Sequence, residues 1–170
     1  LKRLEFSDKP WHSKEETSKY TMLQADGRAI QYFWANEVNS VVTSPCPEKP
    51  WTELKVGDMV EIEGLAWSGQ GTITGVDITF DGGDNWMEAK LKGLVLPKSW
   101  TRFSYITKWD GKPMLLASRS TDDMGNIQPT IDEETSVVGV ENVYHRNGIV
   151  TWEINEKGEC NNVHIRKHKA

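Results

Sequence analysis

Between Met59 and Lys92 apolar and polar side chains alternate in three successive runs, separated by two turn-forming clusters. Val60, Ile62, Gly64 and Ala66 share one parity, and Met59, Glu61, Glu63 and Leu65 share the other. Val76, Ile78 and Phe80 alternate with Asp77 and Thr79; Met87, Ala89 and Leu91 alternate with Glu88, Lys90 and Lys92. A period of two belongs to a strand with one face in a core and one in water. Ser68-Gly69-Gln70-Gly71 and Asp81-Gly82-Gly83-Asp84-Asn85 part the runs, and both are rich in residues that turns favour. The stretch predicts a meander of three antiparallel strands, and no comparable block of helical periodicity occurs elsewhere.

The flanking chain extends this pattern. Leu1 to Phe6 is strand-like, and Ser13 with Glu16 three residues on has the form of a capping box, predicting a helix of one or two turns before Gly27. Residues 26–34 show no clear period, so 1–35 reads as an arm that packs on something else, with the domain proper at 36–170. Glu37 to Thr43 predicts the domain's first strand, after which Pro45, Pro47 and Pro50 exclude regular ladder pairing. Phe103, Tyr105, Thr107 and Trp109 fall on one strand face; Asp110-Gly111-Lys112 predicts a tight hairpin turn into a return strand, Met114 to Thr121. Asp122 to Asn126 reads as a turn and Pro129 to Ser136 as a polar loop, followed by a last hairpin of Ile149–Ile154 and Cys160–Ile165. Short strands between short turns predict an all-β fold, a β-sandwich.

Composition adds limits. A chain of 170 residues suits one domain with an attached segment. Its net charge of −5 argues against a general nucleic-acid binder, and no apolar run approaches the length of a membrane span. Eight tryptophans are many for this length and suit a core or a protein interface. Cys46 and Cys160 are the only cysteines, too few for a disulfide framework and without a CxxC for zinc; pairing and two separate thiols both remain open. Leu1 opens the chain with neither an initiating Met nor a signal peptide, as expected of a mature product or an excised piece.

Little in the residues points to self-contained catalysis. Gly64, Gly69, Gly71 and Gly75 lack the GK[ST] or following helix of a phosphate loop and read as turn glycines. Asp77, Asp81 and Asp84 lack EF-hand spacing and read as an acidic hairpin tip rather than a calcium site. His164 and His168 are four apart, but Val163 and Ile165 give His164 strand alternation, so no metal pair is expected. No GxSxG elbow occurs. Arg146, in Tyr144-His145-Arg146-Asn147-Gly148, is either a solvated surface residue or a guanidinium suited to an oxyanion such as sulfite or sulfate.

Three motifs in order, GLAWSGQG, VDITFDGGDNW and SRSTDDMGNIQPT, resemble the C-terminal dimerisation domain of the sulfite oxidase family of molybdenum enzymes, with Ser120 where that family usually has Ala. EETSKYT, NSVVTSP and YHRNGIVTWEI…NVHI are most similar to its sulfane (sulfur) dehydrogenase branch, from the thiosulfate-oxidising system. The resemblance implies an immunoglobulin-like β-sandwich that builds a homodimer. It implies a molybdopterin held by a cysteine of a separate preceding domain, whose tail would be residues 1–35, and no cofactor, metal or catalytic residue on this chain. It also implies sulfite or sulfane oxidation in the periplasm, with electrons passed to a cytochrome c. Arg146 stands where sulfite oxidases place an arginine against the substrate anion. Dimerisation would draw on some of Trp67, Trp86, Trp100, Trp109 and Trp152. The competing expectation is a free-standing immunoglobulin-like module that binds carbohydrate or protein through its tryptophans.

Overall fold

The computed structural model of the chain describes residues 1–141 and 144–165. Nine strands build its body: β3 (Asn39–Ser44), β4 (Met59–Trp67), β5 (Ile73–Thr79), β6 (Met87–Glu88), β7 (Lys90–Lys92), β8 (Thr101–Lys108), β9 (Met114–Asp122), β10 (Thr151–Ile154) and β11 (Cys160–Val163). They form a four-stranded sheet, β3-β4-β8-β7, and a five-stranded sheet, β11-β10-β9-β5-β6, all antiparallel within each sheet. Before them the arm holds one π-helical turn, Glu15–Lys19, and a small hairpin of β1 (Met22–Leu23) and β2 (Ala29–Ile30). Ser13 accepts from the Glu16 N–H at 3.3 Å, as a cap should, while Leu1 to Phe6 forms no strand.

The alternation along the chain becomes the inner faces of the two sheets. Val60, Ile62, Ala66 and Phe103 from one sheet meet Val76, Ile78, Leu116 and Ile154 from the other in a single buried cluster. Burying a large aliphatic side chain stabilises by about 1.5–3 kcal/mol, so these positions dominate the favourable side of folding. Gly64 is required on this face: a Cβ there would fall on the Phe103 ring and the Val41 carbonyl. Trp51 and Trp109 plug one part of the core, with ring centroids 6.1 Å apart.

Two connections differ from the expected meander and hairpin. β4 and β5 lie in opposite sheets, so Ser68 to Thr72 carries the chain across the sandwich. Asp110-Gly111-Lys112 likewise links β8 to β9 across it. Period-two alternation states which side of a strand is buried, but not which strand lies beside it. The third run is divided for the same reason: β6 pairs with β5 and β7 with β8, with buried Ala89 donating to the Val76 carbonyl at 2.8 Å between them.

The segment expected as a polar loop contains a helix, α1 (Ile131–Val138). Thr130 caps it, accepting from the Glu133 N–H while the Glu133 carboxylate receives the Thr130 N–H. Three acidic residues in its first turn oppose the partial positive charge of that end.

Candidate functional site

The motifs at one end of the sandwich are bound together by Asp122. Its carboxylate accepts the Ser68 hydroxyl at 2.7 Å, the Met124 and Asn126 N–H groups at 3.0 and 2.9 Å, and the Asn126 amide at 3.0 Å. The AWSG crossing and the DDMGN turn are therefore two halves of one knot around a buried acid. Burial works against the charge on Asp122, but the bonds from Asn126, Ser68 and Met124 outweigh it and hold the carboxyl below its ordinary range. Such a group stabilises the fold above the ordinary Asp value near ~4, and the contribution is lost as pH falls from there through the lower folded value. The gap in urea stability between the native chain and Asp122→Asn is expected to be full at pH 6 and to shrink below about pH 4. Parallel acid profiles for the two would refute this role.

The knot also fixes what surrounds it. Gly69 donates to the Asn36 carbonyl at 2.9 Å, and a Cβ at Gly69 would collide with the Asn36 backbone. Lys98 donates its N–H to the Gly71 carbonyl at 3.0 Å and sits at φ 54°, an uncommon angle for a residue with a side chain. The end of the arm, the crossing and the β7–β8 loop thus converge on a cleft of about 370 Å3 whose walls include Asn39, Trp67, Lys98, Trp100, His145 and Arg146. Trp67 and Trp100 pack at 4.5 Å between centroids, and Trp100 remains 61% exposed. His145 stacks on Phe33 of the arm at 3.7 Å.

Arg146 lies in this wall and is engaged from behind. Its Nη1 meets Glu134 Oε2 at 3.1 Å and its Nη2 donates to the carbonyls of Gly139 and Val140 at 3.0 and 3.3 Å. Glu134, buried on α1, also accepts the N–H groups of Asn147 at 2.5 Å and Gly148 at 3.1 Å. Asn147 in turn donates to the Val38 carbonyl at 3.1 Å. Sequence reasoning missed Glu134 because a buried acid looks like any surface acid in a sequence. The signal that would have found its helix is Thr130-x-x-Glu133.

The other tryptophans have separate places. Trp109 is buried in the core and offers no outer surface, so it leaves the set of interface candidates. Trp152 donates its indole N–H to the Val42 carbonyl at 2.9 Å, tying β10 to β3 of the facing sheet. Trp86 lies under the Arg119 guanidinium at 4.3 Å, with Asp77 paired to Arg119 at 2.9 Å. Of the five, Trp67 and Trp100 alone line the cleft with Arg146.

Asp81 spends its carboxylate on its own turn, accepting from Thr79, Asp84 and Asn85 at 2.7–3.0 Å. Asn85 first, then Thr79, hold its carboxyl far below the usual range. Among the described residues no group of three or more His, Cys, Asp or Glu side chains is placed to hold a metal ion. His168 lies outside the described residues. Among the described residues neither this cleft nor a larger one beside α1 has a cysteine in its wall, so neither fits a molybdenum-thiolate centre. No helix among the described residues is long and apolar enough to cross a membrane.

A β-sandwich whose AWSG crossing, DGG turn and GN-Q segment are fixed in this way defines a class. The family described as Mo-co oxidoreductase dimerisation domain matches residues 30–152, and the chain belongs to it. Mitochondrial sulfite oxidase of Rattus norvegicus is 31% identical over 118 residues, 64% of this chain and 21% of that protein. Nitrate reductase [NADH] of Spinacia oleracea is 33% identical over 145 residues, 72% of this chain and 15% of that protein. The crystal structure of the sulfane dehydrogenase SoxCD from Paracoccus pantotrophus is similar at a TM-score of 0.88 and 48% identity, covering 94% of this chain and 40% of that one. The chain therefore spans about a fifth or less of the curated relatives' length.

Proposed function

We propose that this chain dimerises a molybdenum-dependent dehydrogenase of sulfur compounds, sulfite or sulfane sulfur, in the periplasm. The observation that carries the choice is the similarity to the sulfane dehydrogenase: 48% identity along 94% of the chain, against 33% for the nitrate reductase of spinach. In this reading the molybdopterin belongs to a preceding domain, of which residues 1–35 are the tail, and a cytochrome c takes the electrons. The exposed Leu4, Phe6, Trp11 and Trp34 of the arm support such a neighbour, since apolar side chains gathered on one segment mark a contact surface. Trp100, backed by Trp67, is the anchor we assign to a protein contact, as large aromatic residues carry most interface energy.

For Arg146 the geometry favours holding its loop over contacting the substrate anion. A carboxylate at 3.1 Å already opposes its charge, so an anion would have to displace Glu134. The reading is tested by sedimentation of the chain over a wide concentration range, together with sulfite- and thiosulfate-dependent cytochrome c reduction by the full-length protein. Reversible dimers and reduction are expected. A chain monomeric at high concentration would refute self-association through this domain. A full-length protein that reduces nitrate and oxidises neither sulfur compound would refute the substrate class. Dimer formation by a protein with no molybdenum at all would favour the free-standing binding module.

A further inference from the structure

Each sheet of the sandwich ends in two outer strands, and three of these edges are closed or blunted. Along β3 the outward carbonyls are taken by side chains: Val38 accepts from Asn147 at 3.1 Å, Ser40 from Gln128 at 3.2 Å and Val42 from Trp152 at 2.9 Å. β7 is three residues long and carries Lys90 and Lys92, and β6 has only two residues. Short strands and lysines guard an edge against pairing with another chain. β11 has no such guard. Its Cys160-Asn161-Asn162-Val163 run holds no charge, proline or bulge and pairs residue for residue with β10. The turn before it sets which backbone groups face outward. Asn155 donates to the Glu159 carbonyl at 3.1 Å, and Gly158, at φ 77°, donates to the Asn155 carbonyl at 2.9 Å. With Asn155 and Glu159 so paired, the alternation of an antiparallel ladder turns the backbone of Asn161 and Val163 to β10 and that of Asn162 away from it. No other described residue bonds to that outer side.

We propose that β11 is the edge through which two copies of this chain pair, antiparallel and about a two-fold axis at Asn162. The inference rests on the dimerisation reading and names the surface that performs it. A strand that meets its own copy about such an axis runs antiparallel to it, so the Asn162 N–H of each copy donates to the Asn162 carbonyl of the other. Asn161 of one copy then opposes Val163 of the other, and no like charges face across the seam. Neutrality here matters in a chain of net charge −5, whose acidic surface otherwise repels a second copy. Val163 and Ile165 are half-buried on one face of this run, so the pairing also brings apolar surface under cover. An open edge accepts an extended segment from any source. The family's dimerisation and the uncharged, self-complementary run select a second copy.

The test compares the whole chain with Asn162→Pro and Asn162→Lys by sedimentation equilibrium and follows hydrogen exchange at the Asn162 amide. Proline removes an N–H that the β10 ladder does not use. Lysine keeps that N–H and sets two positive charges against each other at the axis, so it reports on the edge even if proline disturbs the strand. The native chain is expected to dimerise reversibly, with its Asn162 amide protected at high concentration and exchanging freely on dilution. Both variants should weaken the dimer roughly tenfold or more. Variants that dimerise as tightly as the native chain, or a native dimer whose Asn162 amide exchanges freely, would overturn the edge and leave the dimerisation reading standing. So would a dimer lost in Trp100→Ser and kept in both Asn162 variants, which would move the contact to the cleft. A native chain monomeric at every concentration would overturn both.

Discussion

Gln128→Leu is expected to destabilise the fold by about 3–5 kcal/mol, measured as the fall in urea unfolding free energy. The side chain is 1% exposed. Its Oε1 accepts the Ser40 hydroxyl at 2.6 Å and the Ser120 N–H at 3.3 Å. Its Nε2 donates to Asn39 Oδ1 at 2.9 Å and to the Ser40 carbonyl at 3.2 Å. The Ser40 hydroxyl in turn meets that of Ser118 at 2.9 Å, so one amide bonds both sheets at once. Leucine fills similar space but leaves these groups short of partners where water does not reach. A single buried group left unsatisfied costs about 1–3 kcal/mol, and the members of a network fail together. A loss below about 1 kcal/mol would show that the amide is not what fastens the sheets.

The second large effect is expected at Glu134. Glu134→Leu removes the partner of the Arg146 guanidinium and the acceptor of two backbone N–H groups, for a loss of about 3–4 kcal/mol. Glu134→Gln keeps an acceptor for the N–H groups and should cost roughly half as much. Arg146→Leu in the Glu134→Leu background should cost much less than in the native chain, giving a coupling above about 1 kcal/mol in a double-mutant cycle. Additive losses would mean that the pair is incidental and would return Arg146 to the search for an anion contact.

The contrast between these two residues and the strands marks what the sequence discloses. β4 and β5 were legible because Val60, Ile62, Val76 and Ile78 each turn a greasy side chain inward at every second step. Their separation into different sheets was not, because alternation states which side of a strand is buried and not which strand lies beside it, and the Ser68–Asp122 bond that fastens the crossing joins residues far apart in the chain. α1 was obscured by its composition: its two buried residues are Glu134 and Val138, so no apolar stripe announces it. Trp109 and Trp100 are equal as letters, yet one is in the core and the other at the mouth of a cleft. Family motifs pointed correctly to the sandwich, and Asp122 and Gln128 of the SRSTDDMGNIQPT segment are the residues that hold one end of it and the two sheets together.

The crossings at Ser68–Thr72 and Asp110–Lys112 bear on the order of events by which the chain reaches this form. Each sends a newly made strand away from its predecessor, so β4 must wait for β8, and β5 for β9, before its ladder is complete. Stretches of flexible chain must be closed before these pairings repay their entropy, and such topologies assemble over milliseconds to seconds rather than microseconds. During that interval half-built sheets present open rims to one another, which makes dilute refolding the condition under which the native chain is best recovered.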